Sequence, residues 1–210
     1  MLTEDRINQL LGMYPTQVNF HIDIISGPTA VGKNWVADRL KDSHKALVSI
    51  TSRPKRENEV EGTDYYFVSQ REYENLLRDG GMATTFIFDG HYYGYLVSEL
   101  DHAKQQQLVP LAIIYYKVIP NFIEKFPNYF IYYMFPPFNS KGMNLLKKRM
   151  LSRSAGDFKE RWADTLEQMH AMYKAKPTLL EIYPESKLYE IKDDNSAWKL
   201  IRDLKKHKHN

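Results

Sequence analysis

The stretch Gly27-Pro28-Thr29-Ala30-Val31-Gly32-Lys33-Asn34 constrains this chain more than any other. It follows an apolar run of strand length over 19–26, carried by Phe20, Ile22, Ile24 and Ile25. It precedes Trp35, Val36 and Leu40, which fall at helical spacing over 33–41. A Gly-x4-Gly-Lys turn between a strand and a helix lets several backbone N–H groups converge on one anion, with the positive end of the helix behind them. It reads as a nucleotide-phosphate loop that opens a βα unit, with Lys33 reaching the β- and γ-phosphates of ATP. Its plainer reading is a glycine-rich turn that happens to precede a lysine. Such loops ask for Ser or Thr after the lysine, to ligate Mg²⁺; here that residue is Asn34, whose amide oxygen can do the same or hold a coordinated water.

The rest of the chain alternates between the two periods. Residues 2–12 read as a short amphipathic helix. Strands are expected at 46–50, 64–68, 83–88, 108–116, 129–134 and 188–191. Helices are expected at 71–78, 96–106, near Phe122, and at 143–151, 158–173 and 196–205. Gly80-Gly81 and Asp89-Gly90 mark turns. Alternating strands and helices predict a parallel sheet covered on both faces. The polar, aperiodic stretch 52–63 lies within a segment, about 49–95, that reads as an inserted lobe.

Several classes of function are excluded by composition. The chain has 210 residues and no cysteine, so disulfides, thiolate nucleophiles and Cys-ligated zinc are absent. Its 29 basic and 26 acidic residues leave a net charge of +3, too small an excess for general nucleic-acid binding. No run reaches the roughly 18 apolar residues that span a bilayer. Met1 to Gln9 carries Glu4, Asp5 and Arg6, which is no signal peptide. A cytoplasmic enzyme or binding protein, monomeric or homodimeric and with neither membrane nor nucleic-acid partner, is the expectation. The histidines show no metal-ligand spacing.

The order of motifs from about 20 to 205 resembles the guanylate kinase family. The resemblance is carried by Ile25-Ser26-Gly27-Pro28 with Val31-Gly32-Lys33, by Val48 to Arg56, by Glu59 to Val68 and by Gly90-His91-Tyr92-Tyr93-Gly94. Phe135-Pro136-Pro137 and Lys147-Lys148-Arg149 match more loosely. The resemblance implies an α/β P-loop kinase fold over 1–210. Its parallel-sheet core, flanked by helices, would occupy 19–48 and 96–210. A nucleoside-monophosphate-binding lobe would be inserted at 49–95, and a helical lid would lie at about 149–161. ATP, with Mg²⁺ on Asn34, would bind Gly27, Pro28, Thr29, Ala30, Val31, Gly32, Lys33 and Asn34. The acceptor, GMP or dGMP by resemblance, would meet Ser49, Arg53, Arg56, Glu59, Tyr65, Thr84 and Tyr93. Lys33, Arg149, Arg153 and Arg161 would serve the transfer itself. Physically, Arg53 and Arg56 are three apart on a loop and can fork onto one phosphate dianion, with Tyr65 and Tyr93 donating hydroxyls to it.

The base-reading half departs from the family pattern. Thr84-Thr85 stands where the family has Glu-Trp. Tyr95 and Leu96 replace small hydroxyl residues, and no carboxylate occupies Ile113 to Tyr116, where Asp-x-Asp is usual. The arginines can also be plain surface charges. Two other readings therefore stay open: transfer to a different nucleotide or phosphorylated small molecule, and a non-catalytic module that binds phosphorylated partners. Asp193-Asp194 reads either as part of the adenine site or as a simple helix cap, and Tyr115-Tyr116 as part of the sheet.

Overall fold

The computed structural model describes residues 21–88, 90–152 and 158–207. The expected helix at 2–12 lies outside them. At the centre is β1 (Ile22–Ser26), with every residue buried. It pairs in parallel with β7 (Val109–Ile113) on one side and β8 (Tyr129–Phe135) on the other. β2 (His44–Ala46) and β9 (Ser186–Glu190) complete a parallel five-stranded sheet in the order β2-β7-β1-β8-β9. Near-continuous apolar runs suit strands covered on both faces.

One face of this sheet carries α1 (Lys33–Asp38), α5 (Ser140–Leu151) and α7 (Asp194–His207), which meet Ile25, Tyr132 and Met134 through Val36, Leu146, Met150, Leu200 and Leu204. The other face packs Ile22, Ile24, Ile131 and Tyr133 against α3 (Val97–Gln105) and α4 (Ile119–Lys125), through Leu100, Ile119 and Phe122. The long α6 (Phe158–Ile182) runs past Tyr173, where helix was expected to stop, and passes through Pro177. Asp193 accepts from the Ser196 N–H at 2.8 Å and caps α7.

Asp23 interrupts the apolar run of β1 yet is 1% exposed. Its carboxylate takes hydrogen bonds from His44, fully inside, and from His21, both at 2.9 Å. Burial works against this charge, but the two imidazoles outweigh it and hold its pKa below the usual carboxylate range.

A second sheet has the order β4-β3-β6-β5. It comprises β3 (Ser49–Thr51), β4 (Tyr65–Phe67), β5 (Met82–Phe88) and β6 (His91–Leu96), with α2 (Gln70–Arg78) beneath it. Two expectations are corrected here. The single strand at 46–50 is two strands in two sheets, because the Glu99 carboxylate takes the Val48 N–H at 2.9 Å and turns the chain out of the core sheet. The turn at Gly90 leads into β6, a strand not foreseen, because its run of rings masks the alternation. α2 starts as its sequence dictates: Ser69 and Glu72 form a capping box.

The two sheets are tied together. The Tyr95 hydroxyl donates to the Ile113 carbonyl at 3.1 Å and accepts from the Ile113 N–H at 3.2 Å. Glu99, 2% exposed, also accepts from the Tyr66 hydroxyl at 2.9 Å. No helix among the described residues is long and apolar enough to cross a membrane.

Candidate active site

The phosphate loop lies between β1 and α1, as its spacing demands. At Gly27 an added Cβ would meet the Met134 carbonyl oxygen at 2.5 Å, so the loop can lie against β8 only with glycine there. Gly32 takes φ +110° and caps α1, and Ala30 also has positive φ at +63°. Lys33 Nζ donates to the carbonyls of Gly27 at 2.7 Å and Pro28 at 2.9 Å. Arg149, from the last turn of α5, donates to the Val31 carbonyl at 2.9 Å. Both cations thus stand on the loop. Asn34 is exposed at the start of α1 and lines the same cleft.

That cleft, of about 880 Å³, runs from the phosphate loop to the second sheet. Across it from Lys33 lies the loop after β3. Arg53, with its side chain only 11% exposed, pairs with Glu59 at 2.7 Å and lies 5.4 Å from the Tyr65 ring centre. Glu59 also takes the Arg56 N–H at 2.9 Å, which shapes the loop so that both guanidinium groups face the cleft. Burial raises the energy of the Glu59 carboxylate, but Arg53 and the Arg56 N–H more than offset it, and its pKa falls. Burial pushes the Tyr65 hydroxyl the other way, so it stays protonated and can donate. Tyr93 stands beside Tyr65 with 6.0 Å between ring centres, and Ser49 completes this wall.

The far end is made of rings. Phe86 stacks on Tyr93 at 5.6 Å with 9° between planes. Phe88 meets Tyr115, just past the end of β7, at 5.4 Å. Ile113 and Ile114 line the floor. Thr84, expected at the acceptor, is not among the residues lining the cleft. It pairs across the sheet with Tyr95 and is 3% exposed. The face of β5 that carries Thr84 reaches the cleft only at Phe86 and Phe88.

α6 closes the third side. Arg161, Asp164 and Gln168 fall on one face and line the cleft, and Thr29 of the phosphate loop donates to Gln168 Oε1 at 3.5 Å. Arg153 lies outside the described residues. The structure therefore brings Lys33, Asn34, Ser49, Arg53, Arg56, Glu59, Tyr65, Tyr93 and Arg161 to one cleft, with Arg149 on the loop carbonyls.

Residues 21–175 match the family model described as guanylate kinase. This chain belongs to the guanylate kinase family. It is 32% identical over 138 residues to the guanylate kinase of Chlorobium luteolum, covering 64% of this chain and 68% of that protein. It is 31% identical over 160 residues to the guanylate kinase of Lactiplantibacillus plantarum, covering 71% and 74%. Among solved structures, guanylate kinase from Anaplasma phagocytophilum superposes with a TM-score of 0.62 at 22% identity, covering 90% of this chain and 86% of that one, a likeness of fold.

Within this member of the guanylate kinase family, sequence reading missed Phe86, Phe88, Tyr115, Asp164 and Gln168 as cleft residues. The first two carry a signal in retrospect: they alternate along β5 toward the face that holds Tyr93 across the sheet. Tyr115, read as a sheet residue, stands just beyond the strand and turns into the cleft. Asp164 and Gln168 follow from Arg161 by helical spacing alone.

Proposed function

We propose that this chain transfers the γ-phosphoryl group of ATP to the phosphate of GMP, giving ADP and GDP. The observation that carries this reading is one cleft holding Lys33 on a phosphate loop and, opposite it, the Arg53, Arg56, Tyr65 and Tyr93 group. Two cationic grips on one cleft suit two phosphorylated substrates. A non-catalytic module would need only the second grip.

The roles follow from position. Gly27 to Lys33 hold the triphosphate, with backbone N–H groups and the lysine ammonium. Arg53 and Arg56 fix the acceptor phosphate, and Tyr65 and Tyr93 donate hydroxyls to it. An acceptor oxygen attacks the γ-phosphorus in line, the bond to the β–γ bridging oxygen breaks, and its electrons leave with ADP. The reaction needs positioning and charge compensation rather than a nucleophilic side chain. Arg149 and Arg161 neutralise charge on the moving group, and the segment around 149–161 serves as the lid.

The family uses a metal with ATP. Asn34 fits Mg²⁺ as a single neutral oxygen donor, beside phosphate oxygens and waters, since Mg²⁺ keeps several waters and takes few protein ligands. Bound there, the ion would polarise the β- and γ-phosphate oxygens. The site belongs with a cytoplasmic nucleotide pool.

The test is a coupled assay of ADP formation with purified full chain, ATP and Mg²⁺, with and without GMP. Turnover that requires GMP and yields GDP is the expected result. ADP formation that ignores GMP, or binding of both nucleotides with no GDP formed, would overturn the reading.

A further inference from the structure

The ring-lined end of the cleft has a chemical character of its own. Phe86, Phe88 and Tyr115 present aromatic surface to it, and Phe88 is 37% exposed although it is large and apolar. Hydrogen-bonding groups are scarce on this wall. No carboxylate, amide or guanidinium occurs on β5, on β6 or in Ile113 to Tyr115. The Tyr95 hydroxyl already serves the N–H and carbonyl of Ile113. Thr84 is buried. Of the cleft carboxylates nearby, Glu59 is held by Arg53, Asp64 accepts the Val60 N–H at 2.8 Å, and Glu57 is exposed on the loop after β3.

We infer that the acceptor base is held by stacking on the shelf of Phe86, Phe88 and Tyr115 rather than read by its hydrogen-bonding edge. The substrate class is then purine nucleoside monophosphates in general. This deepens the proposed kinase reading and rests on it. A π-face is common to every base, and stacking is tolerant of base identity. A site built to pair with one edge rejects the wrong base by about 10⁴-fold, whereas a shelf of rings does not. GMP, IMP and AMP should be taken with kcat/KM within about tenfold of one another, and CMP, with its smaller ring, less well.

The test has three arms, all on the full chain. Steady-state kinetics with GMP, IMP, AMP and CMP should give the narrow purine spread. Phe88→Ala, at a partly exposed position that spares the fold, should raise KM for GMP and AMP by the same factor, about tenfold, with the ATP KM unchanged. Phe88→Trp should restore both. A GMP preference over AMP beyond about 10³-fold would overturn the inference. So would a Phe88→Ala effect on GMP alone. A GMP preference abolished by Glu57→Gln would place base reading on that exposed carboxylate instead. Calorimetric binding of GMP and AMP separates this inference from the kinase reading. Equal affinities without turnover would uphold the shelf and overturn the kinase. Strict GMP binding with turnover would uphold the kinase and overturn the shelf.

Discussion

On the two sides of the cleft's phosphate part Lys33, Arg53 and Arg56 are each held by oxygen atoms of the same chain, and their charges are aimed before any ligand arrives. At the other end Phe86 and Phe88 each meet the Tyr93 ring, Phe88 also meets Tyr115, and together they offer surface with little direction. The first end fixes a point in space, because a charged donor has a preferred partner geometry. The second fixes a plane and leaves rotation within it free. A single cleft can thus be demanding about phosphate position and lenient about what is attached to the phosphate.

The sharpest way to break that contrast is at the loop lysine. Lys33→Ala should lower kcat by about a hundredfold or more, since a charge that meets the phosphoryl group in the transition state is lost. Lys33 is only half-buried, so thermal unfolding should move little. Turnover that survives in the folded variant would show that the phosphate end owes its power to another group.

The ring end should break through packing rather than charge. A Cβ on Gly94 would meet the Thr84 carbonyl oxygen at 2.2 Å and Met82 Cε at 2.5 Å. Gly94→Ala should cost about 1–3 kcal/mol and lower Tm by about 5 °C, because the Thr84 oxygen is backbone and cannot swing aside. An unchanged Tm in a thermal melt would mean that β5 and β6 slide apart at low cost.

Arg53→Ala sharpens the contrast between the two phosphate grips. It should raise the GMP KM about tenfold, the scale of one lost charged hydrogen bond, and leave the ATP KM within about twofold. Equal weakening of both nucleotides in steady-state kinetics would place Arg53 between the sites.

The smallest effect concerns Glu59, whose pKa is lower in the fold than its ordinary 4.5. A depressed carboxylate adds stability above its unfolded value, and that stability fades as pH falls through the folded value. Wild type should exceed Glu59→Gln by under about 1 kcal/mol near neutral pH, with the gap closing below about pH 4.5. Denaturant unfolding at several pH values measures it, and a gap that widens in acid would contradict the pairing.

The phosphate end was legible in the sequence because its signals are local. Gly27, Gly32 and Lys33 owe their types to one turn, and Arg53 to Tyr65 fall within a single loop and strand. The ring end was not, because Phe86, Phe88, Tyr93 and Tyr115 come from three segments and look like ordinary core residues in each. Only the antiparallel register that sets Phe86 against Tyr93 gathers them. Position along the chain placed Thr84 at the acceptor, whereas the fold buries it opposite Tyr95. The Asp23 cluster was hidden too, since His44 reaches Asp23 only once β7 has been laid between β2 and β1.

The carbonyls of Gly27, Pro28 and Val31 act as resident counter-ligands for Lys33 and Arg149. Nucleotide arrival is therefore an exchange reaction, in which phosphate oxygens displace carbonyl oxygens already in contact with the same cations. The free energy read in a titration is the difference between two occupied states, so a full set of charged contacts is compatible with modest affinity and ready release of product.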